Sequence, residues 1–212
     1  MKIVVSLAVL LALAAAVAAA PRDDALRALD DPARDALARR SALRSLATTG
    51  TMADLPRIAR ALRDPDPAVR IVAEAALWEV WSRSGDLEVD ALFANGVQEM
   101  SEGRFGDAVA TFTKIIVKKP EFAEGWNKRA TAYYLIGDYK KSLADCDEVM
   151  KRNPLHYGAL SGYGMIYIQL DDPSRALEYY QRALDVNPNL EGVKNQIEIL
   201  QDALIRKRRE SI

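Results

Sequence analysis

The chain has one cysteine and one histidine among its 212 residues. With Cys146 alone, no intrachain disulfide forms, so the fold rests on its hydrophobic core, which a chain of this length can supply. His156 follows Pro154 at a junction between segments and has no second ligand at metal spacing. It reads as a packed or solvated residue, and Cys146 as a small core hydrophobe. A glycine-rich phosphate loop, a nucleophile elbow and a paired-carboxylate cleft are all missing. The acidic pairs Asp23-Asp24, Asp30-Asp31 and Asp171-Asp172 sit at expected helix starts, where capping and the helix dipole account for them. Charge of one sign is missing too: the formal net charge is −1 at pH 7, so no global field draws the chain to nucleic acid or anionic lipid. The one dense basic run, Arg206-Lys207-Arg208-Arg209, suits the solvated C-terminal end of a helix. Together these absences predict a protein that is not an enzyme and has no metal, cofactor or nucleic-acid partner.

What is abundant is alanine and leucine, a balance that favours helix. The first twenty residues stand apart. Lys2 is the only charge before Arg22, and Ile3 to Ala20 is apolar except for Ser6, ending in small residues. This is the pattern of a secretory signal peptide, expected over residues 1–19 with a cut after Ala18 or Ala19. The chain is therefore expected to be exported, periplasmic or secreted. Its only membrane contact would come through that segment if it stayed uncleaved as an anchor.

The C-terminal half repeats itself. Pro120, Pro154 and Pro188 are spaced by 34 residues. Seventeen residues before each proline stand Gly103, Gly137 and Asp171, a turn position. Twelve before stand Ala108, Ser142 and Ala176, and twenty-four before stand Gly96, Ala130 and Gly164, all small. Eight before stand the larger Phe112, Cys146 and Tyr180. A 34-residue period with small residues at two fixed places predicts an all-α, right-handed helical-hairpin solenoid, in which the small residues let paired helices approach and the large ones fill the seam.

These residues resemble the tetratricopeptide repeat family. The match is fullest in Gly125-Trp126-Asn127-Lys128-Arg129-Ala130-Thr131-Ala132-Tyr133-Tyr134 and in Gly137-Asp138-Tyr139-Lys140-Lys141-Ser142. It covers residues 89–188, within a repeat domain of 87–188 holding three units, 89–122, 123–156 and 157–190. The departures are Leu92 and Leu160 at the tryptophan place, Glu99 at a tyrosine place, and Asp171 and Pro173 in the third unit. Asp172 as cap and Pro173 in the first turn explain the last pair. Trp126 is expected to be buried in the seam. After the units, 189–212 is read as a capping helix and basic tail, with Ile197, Leu200 and Leu204 on one stripe and Ile199 and Ile205 beside it.

The stretch 22–85 differs: it has eleven arginines and no lysine. Asp66 reads as an N-cap with Pro67 in the first turn of a helix reaching Trp81, after a helical Leu55–Leu62 segment. Asp31-Pro32-Ala33 reads as an earlier helix start of the same kind. Aspartate-proline-x-valine-arginine between paired helices resembles HEAT-type repeats.

The family resemblance implies a ligand groove lined by the second, fifth, ninth and twelfth places of each first helix. Those places hold Asp90, Phe93, Val97 and Met100, then Glu124, Asn127, Thr131 and Tyr134, then Gly158, Ser161, Met165 and Ile168. The candidate protein- or peptide-binding residues are Phe93, Val97, Asn127, Thr131, Tyr134, Gly158, Ser161, Gly162, Met165 and Ile168, with Asn127 expected to bind a peptide backbone. Gly158, Ser161 and Gly162 share a helix face and are expected to form a shelf beside Tyr134 and Met165. Some family members clamp a C-terminal carboxylate with lysine, arginine and asparagine, but the corresponding places here hold Phe93, Val97, Lys128, Gly158 and Gly162. Clamp binding of that kind is not expected. The reading is an exported, non-catalytic adaptor that holds a protein or peptide within a cell-envelope assembly. Its alternatives are a structural subunit whose groove is filled by self-association into a homo-oligomer, and an enzyme with an unrecognised site.

Overall fold

The computed structural model describes residues 21–210, and no strand occurs among them. The signal-peptide segment lies outside the described residues. Among those described, no helix is long and apolar enough to cross a membrane. The chain divides into two compact units after Ser82.

The first unit holds a helical stretch over 21–30 (α1), α2 (Ala36–Thr49), a short turn Met52–Asp54, α3 (Leu55–Arg60) tightening into Ala61–Arg63, and α4 (Pro67–Ser82). Helices α2 and α4 pack together, and Leu43, Leu46, Ile58, Leu62, Val69 and Leu77 are fully buried. Asp66 caps α4 as expected, accepting from the Ala68 amide at 2.7 Å. The Asp31 expectation is corrected: Asp31-Pro32-Ala33 forms a turn, with the Ala33 amide donating to Asp31 Oδ1. Helix α2 starts five residues later, capped by Asp35, which accepts from the Ala38 amide. An aspartate with a vacant amide two or three residues ahead can close a turn as readily as a helix. Two of the arginines show why lysine would not serve. Arg22 donates to both oxygens of Asp54 (2.8 and 2.6 Å), and Arg39 to both of Asp64 (2.7 and 2.9 Å). Only a planar fork makes such bidentate pairs.

The second unit opens at α5 (Leu87–Ser101), capped by Asp86, which accepts from the Glu88 and Val89 amides. It continues through α6 (Phe105–Lys118), α7 (Ala123–Leu135), α8 (Tyr139–Arg152), α9 (Tyr157–Gln169), α10 (Pro173–Val186) and α11 (Glu191–Glu210). Each helix packs on the next, as hairpins α5–α6, α7–α8 and α9–α10 with α11 against α10. The architecture is the expected all-α helical-hairpin solenoid. Helix α9 buries residues on nearly every side, from Tyr157 and Leu160 to Tyr163, Ile166 and Tyr167, because it lies between α8 and α10.

The turn position is the same in all three repeats. Gly103, Gly137 and Asp171 have φ of +74°, +80° and +53°, the left-handed region that glycine enters without steric cost and aspartate tolerates. Asp172 then caps α10, accepting from the Arg175 amide at 2.9 Å, with Pro173 in the first turn.

The small and large positions face one another. A Cβ built on Gly96 would stand 2.7 Å from two ring carbons of Phe112. One built on Gly164 would stand 2.4 Å from Cε1 of Tyr180. In the middle repeat Ala130 and Cys146 are buried in one cluster. Ser142, at the other small place, donates its hydroxyl to the Ala130 carbonyl at 2.7 Å. Arg129 ties neighbouring hairpins, with both Asp145 oxygens at 2.8 Å and Thr113 Oγ1 at 3.0 Å.

Trp126 corrects another expectation. It is half-buried, packed against the cluster of Ala123, Val149 and Ala159. Its indole N–H donates to the Pro120 carbonyl at 2.9 Å, and the guanidinium carbons of Arg152 and Arg129 stand 4.6 and 5.1 Å from its ring centre. A ring with two cations over it and a polar edge to satisfy belongs at the rim of a seam.

Gly164→Ala adds one methyl group where the Tyr180 ring already lies. The variant is expected to lose about 1–3 kcal/mol in urea denaturation through overpacking, although alanine is the better helix former. A gain in stability would show that the α9–α10 spacing is not set by this contact.

Candidate functional site

The first helices of the second and third repeats, together with the start of α11, enclose two adjoining clefts. The smaller, about 60 Å³, is lined by Asn127, Thr131 and Tyr134 of α7, by Gly158, Gly162 and Met165 of α9, and by Ser142 and Cys146 of α8. The larger, about 620 Å³, is lined by Tyr134, Ser161, Met165 and Ile168 and, from the segment entering α11, by Leu190, Val193 and Gln196. Tyr134 and Met165 belong to both. Eight of the ten residues expected in the groove thus meet around two connected spaces. The other two do not join them. Phe93 turns its ring edge-on to Phe112 and Phe122, with centroids 6.1 and 5.6 Å away, and packs on the first repeat's core. Val97 is exposed on α5.

Two lining features escaped sequence reasoning. Cys146 is part of the smaller cleft's wall. Its burial, with Asp145 and Asp147 nearby, pushes the thiol up to about 12, so it offers a soft apolar surface and not a thiolate. Helix α11, expected as a cap, also walls the larger cleft. The signal for this was Leu190, which stands two residues after Pro188, the junction place that holds Phe122 and His156 in the earlier repeats.

Beneath the smaller cleft lies a buried polar network. Glu124, in the first turn of α7, is fully buried. Its Oε1 is 2.9 Å from His156 Nε2, and its Oε2 accepts from Asn127 Nδ2 at 2.9 Å. His156 is also fully buried, and its Nδ1 accepts from the Ala159 amide at 3.0 Å, capping α9. A backbone amide can only donate, so Nδ1 is the bare nitrogen and Nε2 carries the proton that goes to Glu124. The sole histidine is thus a structural clasp between α7 and α9. Burial pushes the Glu124 carboxyl upward, but the hydrogen bond from His156, the Lys128 charge and the Asn127 amide outweigh it, and its pKa lies below the ordinary value. The N-terminus of α7 favours the same charged form. Asn127, expected to greet a peptide backbone, is turned to Glu124 and is only 8% exposed.

The Thr131 and Ser161 hydroxyls are also turned inward. Thr131 donates to the Asn127 carbonyl at 3.0 Å and Ser161 to the Tyr157 carbonyl at 2.9 Å, each one turn back along its own helix. Among the described residues no lysine or arginine lines either cleft, and the one carboxylate, Glu191, is paired with Lys194 at 2.6 Å. The smaller cleft therefore presents a mostly apolar, uncharged surface, while Gln169, Asn189 and Gln196 add uncharged polar groups to the wall of the larger.

Because folding lowers the Glu124 pKa, its contribution is present above about pH 5 and is lost as pH falls through the folded-state value. Glu124→Gln is expected to cost roughly 1–3 kcal/mol at pH 7 by weakening the bonds to His156 and Asn127. That gap should narrow at pH 3, both measured by urea denaturation. An equal gap at the two pH values would mean that folding leaves the Glu124 pKa unchanged, and a wider gap at pH 3 that the carboxyl is neutral in the fold.

Comparison with known proteins places the second unit. Two family models described as tetratricopeptide repeat match residues 93–150 and 159–190. A TPR repeat-containing protein of Rhizobium etli is 33% identical over 146 residues, covering 69% of this chain and 71% of that protein. A small glutamine-rich tetratricopeptide repeat-containing protein of Dictyostelium discoideum is 31% identical, covering 53% of this chain but 34% of that protein. The Hsp70-Hsp90 organizing protein 2 of Arabidopsis thaliana is 26% identical, and the match takes in only 19% of its length. Among solved structures, the first TPR of Spaghetti, bound to the HSP90 peptide SRMEEVD, superposes with a TM-score of 0.53 at 23% identity, covering 55% of this chain and 93% of that one. MamA does so with a TM-score of 0.52 at 19% identity, covering 63% and 77%. At these identities the structures attest the fold.

Proposed function

The chain belongs to the tetratricopeptide repeat family, and from that premise we propose that it is a non-catalytic adaptor whose first-helix groove holds a segment of a partner protein. The observation that carries the reading is the pair of clefts between α7, α9 and α11. Met165 stands between them and is 43% exposed. A large apolar side chain left open at the junction of two apolar spaces is the feature a bound segment would cover. The lone histidine supports a non-catalytic role, since both its ring nitrogens are engaged within the fold.

A peptide such as the one bound by the first TPR of Spaghetti carries several carboxylates. In this chain the clamp places hold Phe93, Val97, Gly158 and Gly162, and only Lys128 is basic. An acidic tail in these clefts would therefore be desolvated against walls that carry no cation, with Lys128 alone of the clamp places to meet it, and a partner of another chemistry fits better.

We place the adaptor outside the cytoplasm, in a cell-envelope assembly, on the strength of the Lys2–Ala20 pattern. N-terminal sequencing of the protein from the cells that make it is expected to begin at Ala19 or Ala20. An intact Met1 in a cytoplasmic fraction would exclude export.

A photo-crosslinking residue at Met165 is expected to give one dominant adduct in the native fraction, lost when Tyr134→Lys places a charge beside it. The same crosslinker at Val117, exposed on a second helix, should not give that adduct. Identical adducts from both positions would show that the groove is not where the partner sits.

A further inference from the structure

The glycines of α9 do not share one cause. Gly164 is required by packing, since any side chain there meets the Tyr180 ring. Gly162 is not: a Cβ built on it meets only Cys146 Sγ, at 3.8 Å, which is ordinary contact. Glycine weakens a helix interior, and at Gly162 no neighbouring atom of the fold demands it. What it does is keep the smaller cleft open down to the Cys146 sulfur.

The two clefts differ tenfold in size, about 60 against 620 Å³. The smaller has room for roughly four groups the size of water, which a side chain of one to three carbons fills. The larger takes an aromatic or long aliphatic side chain, and its walls include Met165, which adapts to varied shapes. Neither is lined by a cation, the single carboxylate is paired, and the Thr131 and Ser161 hydroxyls donate to their own helices. A charged side chain entering the smaller space would lose its hydration without a partner, and an acidic one entering the larger would meet no cation.

Resting on the adaptor reading, we propose that the groove recognises an uncharged segment by two neighbouring side chains. A small aliphatic one, alanine to valine, enters the chamber between Gly162 and Cys146, and a large apolar one enters the chamber against α11. Gly162 sets the size limit of the first chamber, and Leu190 and Val193 form the wall of the second.

The test uses the full chain and an immobilised library of N-acetylated, C-amidated hexapeptides randomised at every position. The wild-type protein is expected to retain uncharged peptides with alanine, serine or valine at one place and phenylalanine, leucine or methionine at a nearby one. Gly162→Ala should melt higher than wild type, because the helix is strengthened and the added carbon clashes with nothing. It should also bind the selected peptides about tenfold more weakly, the order expected for one excluded methyl-sized group, with the small place shifting to glycine and the large preference unchanged. Val193→Phe should do the reverse, erasing the large preference while the small one persists. Retention of peptides with the same profile by wild type and Gly162→Ala overturns the two-chamber proposal and leaves the adaptor reading standing, as does enrichment of acidic peptides. Failure of every variant to retain peptide overturns both. So does a wild-type oligomer that Met165→Lys dissociates, since the occupant is then a second copy of the chain.

Discussion

Two helices can approach no closer than the side chains between them allow, and in this chain that distance is governed by one pairing sixteen residues apart. Gly96 meets Phe112 and Gly164 meets Tyr180, each so tightly that a methyl group would not fit. In the middle repeat the same two places hold Ala130 and Cys146, where the larger small residue accompanies the smaller large one. The summed bulk is held nearly level while its division between the helices shifts, as close packing requires. With that spacing set, the neighbouring pair of places is free to differ in chemistry. In the second repeat it carries Arg129 bidentate to Asp145. In the third it carries Tyr163 stacked on Tyr179 with centroids 4.2 Å apart. An ion pair and an aromatic stack occupy equivalent positions because neither has to determine how close the helices come.

The junction between the second and third repeats obeys a second constraint. Helix α9 must begin where α7 already stands, and His156 meets both demands by capping α9 with one nitrogen and binding Glu124 with the other. Burying a carboxylate is costly unless it is fully satisfied. Here Asn127 supplies the second hydrogen bond. Asn127 is thereby drawn down from the groove surface, and with the Thr131 and Ser161 hydroxyls directed to their own helices the wall that α7 and the start of α9 give the groove is left mostly apolar. Its character thus follows in part from a structural bond network beneath it.

Much of this was legible in the sequence because it is periodic. The proline ladder, the turn at Gly103, Gly137 and Asp171, and the alternation of small and large places follow from spacing alone, since every repeat faces the same geometric problem. The capping of α4 by Asp66 and of α10 by Asp172 was equally local. What spacing could not show is how side chains from different repeats settle against each other. Glu124 and His156 are 32 residues apart, and nothing in either segment marks them as partners. Phe93 sits at a groove place by register but is drawn into the core by Phe112 and Phe122. Trp126 sits at a seam place but is held at the rim by the Pro120 carbonyl and two guanidiniums. Asp31-Pro32 has the residues of a helix start and makes a turn, since the same side-chain bond closes either.

Glycine shows most clearly why register has to be joined to packing. By propensity, a glycine within a helix is a defect wherever it stands. The structure separates those in this unit by what lies across from them. At Gly125 a Cβ would come within 2.8 Å of Ile115 Cγ2, and at Gly164 within 2.4 Å of the Tyr180 ring. In both places the loss of helix strength is offset by closer packing between helices. At Gly162 the nearest atom is a sulfur at a comfortable 3.8 Å, and the helix is weakened without any such return inside the fold. A residue whose cost is not offset within the molecule directs attention to what the molecule meets. In this chain that residue lies in the wall of the smaller cleft, beside the one large side chain that both clefts leave exposed.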